Sequence, residues 1–214
     1  MRKRCLSLSF SISAFLGLAQ LTYAQSELHH LTFNVGGGYT ATTGNISNRL
    51  DGGGHFQAGI GYNLNRYLGI LGTFNFHQLG LTGQALNEVN VPDGSSRVYS
   101  LTAEPKITLP YRRLAGFYLL GGGGWMRRTV EFTQPTVAQT IVFDPWFGYY
   151  GPALIPANQV IGSYSQNAGV WDGGGGFNIP LPRARFKLYI ESRFYDGITN
   201  THTTLVPITV GLRW

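Results

Sequence analysis

Val206-Pro207-Ile208-Thr209-Val210-Gly211-Leu212-Arg213-Trp214 closes the chain. Val206, Ile208, Val210, Leu212 and Trp214 share one parity, while Pro207, Thr209, Gly211 and Arg213 share the other. A strand sends successive side chains to opposite faces, so this segment has one wholly apolar face that ends in an aromatic ring. Two surroundings fit such a strand: half of a water-soluble sandwich, or hydrocarbon outside and a polar barrel interior within. The remaining segments decide between them.

Alternation recurs upstream. Leu31, Phe33, Val35 and Tyr39 alternate with Thr32, Asn34, Gly36, Gly38 and Thr40, and Phe56, Ala58, Ile60, Tyr62 and Leu64 alternate with Gln57, Gly59, Gly61 and Asn63. In a third segment Leu68, Ile70, Phe74 and Phe76 oppose Gly69, Thr73, Asn75 and His77, with Leu71 as the exception. A fourth sets Tyr99, Leu101, Ala103, Ile107 and Leu109 against Ser100, Thr102, Glu104, Lys106 and Thr108. The fifth, Leu114 to about Val130, is so rich in glycine that its faces are not assigned. Asn167 to Ile179 is a sixth, and in the seventh Phe186, Leu188, Ile190 and Phe194 alternate with Lys187, Tyr189, Glu191, Arg193 and Tyr195. Period-two patterning of this kind predicts strands.

The seven connections alternate in length. Asn63 to Arg66, Pro110 to Arg113 and Pro180 to Ala184 are short turns, whereas Ala41 to Gly54, Gly80 to Arg97, Glu131 to Gln166 and Asp196 to Thr203 are longer. All short turns therefore lie at one end of the sheet, the polarity of a transmembrane barrel with tight periplasmic turns and larger outer loops. Ten residues at ~3.3 Å each, tilted about 40°, rise about 25 Å, the height of an outer-membrane apolar band. In hydrocarbon an unpaired backbone group is costly, so only closure lets such strands span without an edge. The inward-parity glycines, Gly36, Gly38, Gly59, Gly61, Gly174 and Gly176, then make room for larger inward neighbours.

Composition agrees. Charged residues make up 12% of 214, aromatics 14%, and there are 30 glycines, a mixture unlike a typical soluble enzyme or a disordered chain. The pI near 9.6 hints at nucleic acid, but Arg2, Lys3 and Arg4 belong to a leader, leaving 13 basic against 10 acidic residues. No nucleic-acid partner is expected. Arg2-Lys3-Arg4, the apolar stretch Cys5 to Leu18 and Thr22-Tyr23-Ala24 have the order of a signal peptide; the rival, an uncleaved anchor, is too short and too interrupted by serine. Cys5 leaves with that leader, so the mature chain has neither a disulfide nor a thiolate metal site. The expected fold is all-β: an eight-stranded antiparallel up-and-down transmembrane β-barrel over residues 25–214, preceded by a cleavable signal peptide, residues 1–24.

The chain resembles the small outer-membrane β-barrel proteins of Gram-negative bacteria, the broad group with the OmpA-type and OmpW-type barrels. The resemblance rests on Asp172-Gly173-Gly174-Gly175-Gly176-Phe177-Asn178-Ile179-Pro180-Leu181, on Leu188-Tyr189-Ile190-Glu191-Ser192-Arg193-Phe194-Tyr195, and on Val206 to Trp214. The last is similar to the C-terminal signal read by the barrel-assembly machinery, with Val206, Ile208, Val210, Leu212 and Trp214 as the signal positions. The resemblance implies an outer-membrane location, lipid and lipopolysaccharide as surroundings, a monomer, and porin-like or surface roles.

Glu104, Lys106, Asp172, Lys187, Glu191 and Arg193 all fall on the inward parity. Buried charges must be paired, so three acids facing three bases form an ion network, either a plug or an ion-selective path for small solutes. A lipid-modifying acyl hydrolase or transferase would need a Ser–His pair with an acid, for which His77, His202, Ser100, Thr204 and Asp196 are candidates without a local motif. The enzyme class is not favoured, and no cofactor is expected. His29 and His30 are adjacent and point to opposite faces, and the glycine runs lack a following Gly-Lys-Ser/Thr, so neither a metal site nor a phosphate loop is expected. The long third connection carries Phe143, Trp146, Phe147, Tyr149 and Tyr150, a candidate extracellular binding surface or a cover folded over the barrel mouth.

Overall fold

The computed structural model describes residues 30–111, 115–146, 148–181, 184–199 and 202–214. The expected signal peptide, residues 1–24, and His29 and Phe147 lie outside them. Eight strands form one closed barrel: β1 (Leu31–Thr43), β2 (Leu50–Asn63), β3 (Leu68–Leu81), β4 (Asp93–Tyr111), β5 (Ala115–Asp144), β6 (Tyr149–Pro180), β7 (Lys187–Gly197) and β8 (Thr203–Arg213). Each strand is antiparallel to its neighbours in the chain, and β8 returns to β1 in a continuous register from Asn34↔Arg213 to Thr43↔Thr204. Trp214 and Phe33 exchange backbone hydrogen bonds at 2.9 and 3.3 Å, so the last residue still belongs to the closing ladder.

The alternation has the expected direction. Phe56, Ile60, Phe74, Leu101, Phe177, Ile208 and Val210 face outward and are exposed to the surroundings. Ring pairs gird both ends: Phe76–Tyr99 and Trp171–Phe194 toward the long connections, Phe117–Phe177 and Phe186–Trp214 toward the short turns. Such girdles mark the two interfaces of an apolar band. The undecided fifth segment also resolves: Tyr118, Leu120 and Met126 are buried, while Leu119 and Trp125 face out. Leu71, the exception in the third segment, points inward and packs with Tyr118 and Leu120.

The outer connections are shorter than the sequence suggests, because the strands run on into them. Residues 41–54 hold only a 3-10 turn, Gly44–Asn48, between β1 and β2. Residues 80–97 hold helix α1 (Gly83–Val89). Its N-cap Thr82 accepts from the Ala85 N–H and donates to Asn48 O at 2.6 Å, tying the helix to the 3-10 turn. The largest correction concerns residues 131–166. Read as the longest connection, they form a two-stranded ribbon, in which β5 and β6 stay paired out to Asp144↔Tyr149. The last β4 pair is Asp93↔Thr133 and the last β7 pair is Val170↔Gly197, so beyond these both strands have an open edge. From Gln134 to Asp144 the ribbon extends about 35 Å at ~3.3 Å per residue. A register shift between Phe132 and Thr133 marks its base.

Two prolines within barrel strands, Pro105 facing outward and Pro207 inward, follow one rule. Pro207 keeps its place opposite Thr40 on β1, and no bulge forms; the β7 pairing lapses instead between Ser192↔Ile208 and Tyr195↔Leu205 with the register unchanged. Pro105 likewise stays opposite Ile70, while the β5 pairing lapses between Ala103↔Gly123 and Lys106↔Leu120. Each proline lacks one N–H and costs its strand pairing on one side only.

Candidate functional site

The lumen is filled in layers. Nearest the long connections, Ile46 from the 3-10 turn packs with Leu50, Leu79, Val98, Met126, Val170, Tyr195 and Leu205, all nearly inaccessible. The Tyr195 hydroxyl on the inner side of this plug meets Asn75 and Arg193 below it. Below it lies a polar belt centred on Arg193, a side chain with 0% exposure.

Arg193 Nε donates to Glu191 Oε1 at 2.5 Å, and its Nη1 donates to Glu104 Oε1 at 2.6 Å, Asp172 Oδ2 at 3.3 Å and Tyr195 Oη at 3.1 Å. Glu104 also accepts from Thr73 at 3.1 Å and from Thr102. Glu191 accepts from Tyr118 at 2.6 Å, from Gln57 at 3.2 Å and from Arg213 Nη2 at 3.5 Å. The belt continues through Thr209 to His55 at 2.8 Å, and beside it Thr40 meets His77 at 2.8 Å. Strands β2 to β8 therefore each supply a polar group to one cross-lumen network, and β1 supplies Thr40 to the pair beside it. Arg213 is held flat between two rings, 4.5 Å from Tyr118 and 4.7 Å from Tyr189.

Glycines create the space. A Cβ on Gly174 would sit 2.8 Å from Arg193 Cα, and one on Gly176 would sit 2.7 Å from Tyr118 Oη. A guanidinium and two tyrosines fit in so narrow a barrel because their cross-strand neighbours have no side chain.

Of the six residues read as a lumen ion network, the structure brings together Glu104, Asp172, Glu191 and Arg193. Lys106 and Lys187 stand apart from them at the short-turn end: Lys106 Nζ donates to Asn63 Oδ1 at 3.1 Å, and Lys187 is exposed. The second cation of the network is Arg213, which its inward parity made available but whose place beside Trp214 concealed. Tyr118 and Tyr195 were missed because parity says which face a residue takes, not which groups meet across a lumen.

The candidate catalytic groups divide in two: Asp196, His202 and Thr204 gather at the long-connection end, with Thr204 opposite Asp196 in the β7–β8 register, while Ser100 and His77 lie in the lumen. Ser100 meets Asn75 at 3.4 Å, His77 meets Thr40, and His202 lies 3.1 Å from Asp196. Among the described residues neither histidine is hydrogen-bonded to Ser100 or Thr204. No group of three or more His, Cys, Asp or Glu among the described residues is placed to hold a metal ion. His30 stacks on Tyr62 and contacts Asn63 O at 2.9 Å.

On the ribbon, Phe143 and Tyr150 face each other across the strands at 5.1 Å, and Tyr149 and Trp146 stand at its tip. Trp146 is 91% exposed, Tyr150 and Leu154 73%, and Ile141 71%. The described rings of the aromatic cluster, Phe143, Trp146, Tyr149 and Tyr150, are all exposed.

With this geometry in view, the comparisons with known proteins are consistent. The family model described as outer membrane protein beta-barrel domain matches residues 10–213. Among solved structures, Neisserial surface protein A aligns with TM-score 0.57 at 12% identity, over 86% of this chain and 95% of that one. Ail of Yersinia pestis, solved with the heparin analogue sucrose octasulfate, aligns with TM-score 0.48 at 17% identity, over 86% and 99%. OprG of Pseudomonas aeruginosa aligns with TM-score 0.46 at 10% identity, over 86% and 95%. No curated protein matches the chain.

Proposed function

This chain belongs to the outer membrane protein β-barrel domain family, and from that premise we propose that it is a closed barrel that displays a binding ribbon outside the cell. The observation that carries this reading is the β5–β6 ribbon. It projects Ile141, Phe143, Trp146, Tyr149, Tyr150 and Leu154 into water on two open-edged strands. Exposed apolar groups of this density are costly to solubility and mark interaction sites, and aromatic side chains are the usual anchors of such sites. A rigid barrel below and a hydrogen-bonded ladder within the ribbon hold these rings in place before a partner arrives, which lowers the entropy cost of binding.

The barrel is the pedestal. Its apolar plug and the Arg193 belt argue against free solute flow. Lipid and lipopolysaccharide surround the outward band, and the C-terminal positions Val206, Ile208, Val210, Leu212 and Trp214 serve recognition by the assembly machinery. The test compares cells carrying the full chain with cells carrying a version in which residues 134–159 are replaced by a tight turn. Retention of cells on protein-coated and glycan-coated surfaces is expected to fall to background in the shortened form, with the barrel still folded. Equal retention by both forms would overturn the reading.

A further inference from the structure

The short-turn end of the lumen holds positive charge that the Arg193 belt does not use. A cavity of about 440 Å³ opens there, lined by five cations, Arg66, Lys106, Arg185, Lys187 and Arg213, with no Asp or Glu among its described walls. Two of the five are built into the barrel: Lys106 is 7% and Arg213 4% exposed. An ammonium has three donors, and among the described residues Lys106 Nζ has one acceptor, Asn63 Oδ1. Arg213 Nη1 and Nη2 reach Asn178, Tyr118 and Glu191, but its buried Nε has no partner among the described residues.

Gathering like charges in a half-enclosed space is unfavourable without a counter-charge. The nearby side-chain carboxylates are already engaged, Glu104 and Asp172 by Arg193 and Glu191 by Arg193, Arg213 and Tyr118, and the α-carboxylate of Trp214 can offset one of the five positive charges. We propose that this chamber binds a small phosphate-bearing anion that enters from the short-turn side, the periplasmic side of outer-membrane barrels. The cations approach from β4, β7, β8 and two different turns, a three-dimensional arrangement suited to a multivalent tetrahedral oxyanion. A planar carboxylate would need only one guanidinium fork. The volume lies within the usual range for small-ligand sites. A soluble phosphate ester and the headgroup of an inner-leaflet phospholipid present the same chemistry, and Trp214 lines the same cavity.

The test is calorimetric titration of tripolyphosphate into the full chain folded in phosphatidylcholine nanodiscs, at constant ionic strength set with chloride. A saturable heat is expected, and the variant with Lys106→Gln and Lys187→Gln is expected to bind at least about ten-fold more weakly, ~1.4 kcal/mol. Because Lys106 is buried, a second variant with Arg185→Gln and Lys187→Gln, both exposed rim positions, carries the same expectation without threatening the fold. No saturable heat with the unmodified chain, or unchanged affinity in the rim variant, would overturn the proposal. Repeating the titration in nanodiscs containing phosphatidylglycerol distinguishes the sources: weakened tripolyphosphate binding identifies a competing lipid headgroup, and unchanged binding identifies a soluble anion. Shortening the ribbon is expected to leave all these heats unchanged, so this proposal stands or falls separately from the surface role.

Discussion

The Arg193 belt and the β5–β6 ribbon share two strands and obey opposite rules. In the belt, charged groups with no solvent exposure are held by partners from across the lumen. In the ribbon, apolar groups such as Trp146 and Ile141 stand largely exposed, on or at the tip of a two-stranded ladder. Burial makes each belt residue depend on the others, since a charge that loses its partner stays in a low-dielectric interior. Exposure leaves the ribbon side chains with little bearing on the stability of the barrel below. Stability is therefore concentrated in the lumen and binding capacity in the ribbon.

Substitutions at graded positions test how sharp that division is. The largest effect is expected at the centre of the belt: Arg193→Ala leaves Glu104, Asp172 and Glu191 without their shared cation and should destabilise the barrel by ~5 kcal/mol, read from urea unfolding in lipid vesicles. Glu191→Ala leaves Arg193 two other carboxylates and should cost less, ~3 kcal/mol in the same assay. An unchanged unfolding midpoint for either would break the comparison at its stronger end. Next comes Gly174→Val, where the new side chain meets the Arg193 backbone; overpacking of this kind should cost ~1–3 kcal/mol. At the other end of the scale, Trp146→Ala and Tyr150→Ala together should change stability by less than ~0.5 kcal/mol while reducing surface retention. A ribbon substitution that destabilised the barrel as much as Gly174→Val would mean that the two regions are coupled.

The same contrast explains what could be read in the sequence. Where a strand has lipid on one side and lumen on the other, the two faces demand different residues, and parity alone orients Phe56 against Gln57 or Ile190 against Glu191. In the ribbon both faces meet water, so no alternation is imposed, and Pro135, Pro152 and Pro156 read as loop residues. An open-edged ribbon tolerates them, since an edge position can lose its N–H without losing a ladder bond. Within the lumen, inward parity identified Glu104, Asp172, Glu191 and Arg193 as sharing one space but could not set their height along the barrel axis. Lys106 and Lys187 share that parity and sit lower, at the short-turn end, where they face a cavity in place of the carboxylates. The apolar plug was not legible, because its members come from eight elements distant in the chain.

The division of labour requires a lumen that does not conduct. Single-channel recording of the purified, folded chain in planar bilayers tests this most directly. The plug around Leu50, Met126 and Leu205, backed by the Arg193 belt, predicts a silent membrane at all applied voltages. Discrete, reproducible current steps from the unmodified protein would contradict the account, since ions could then pass only through residues assigned a purely structural role.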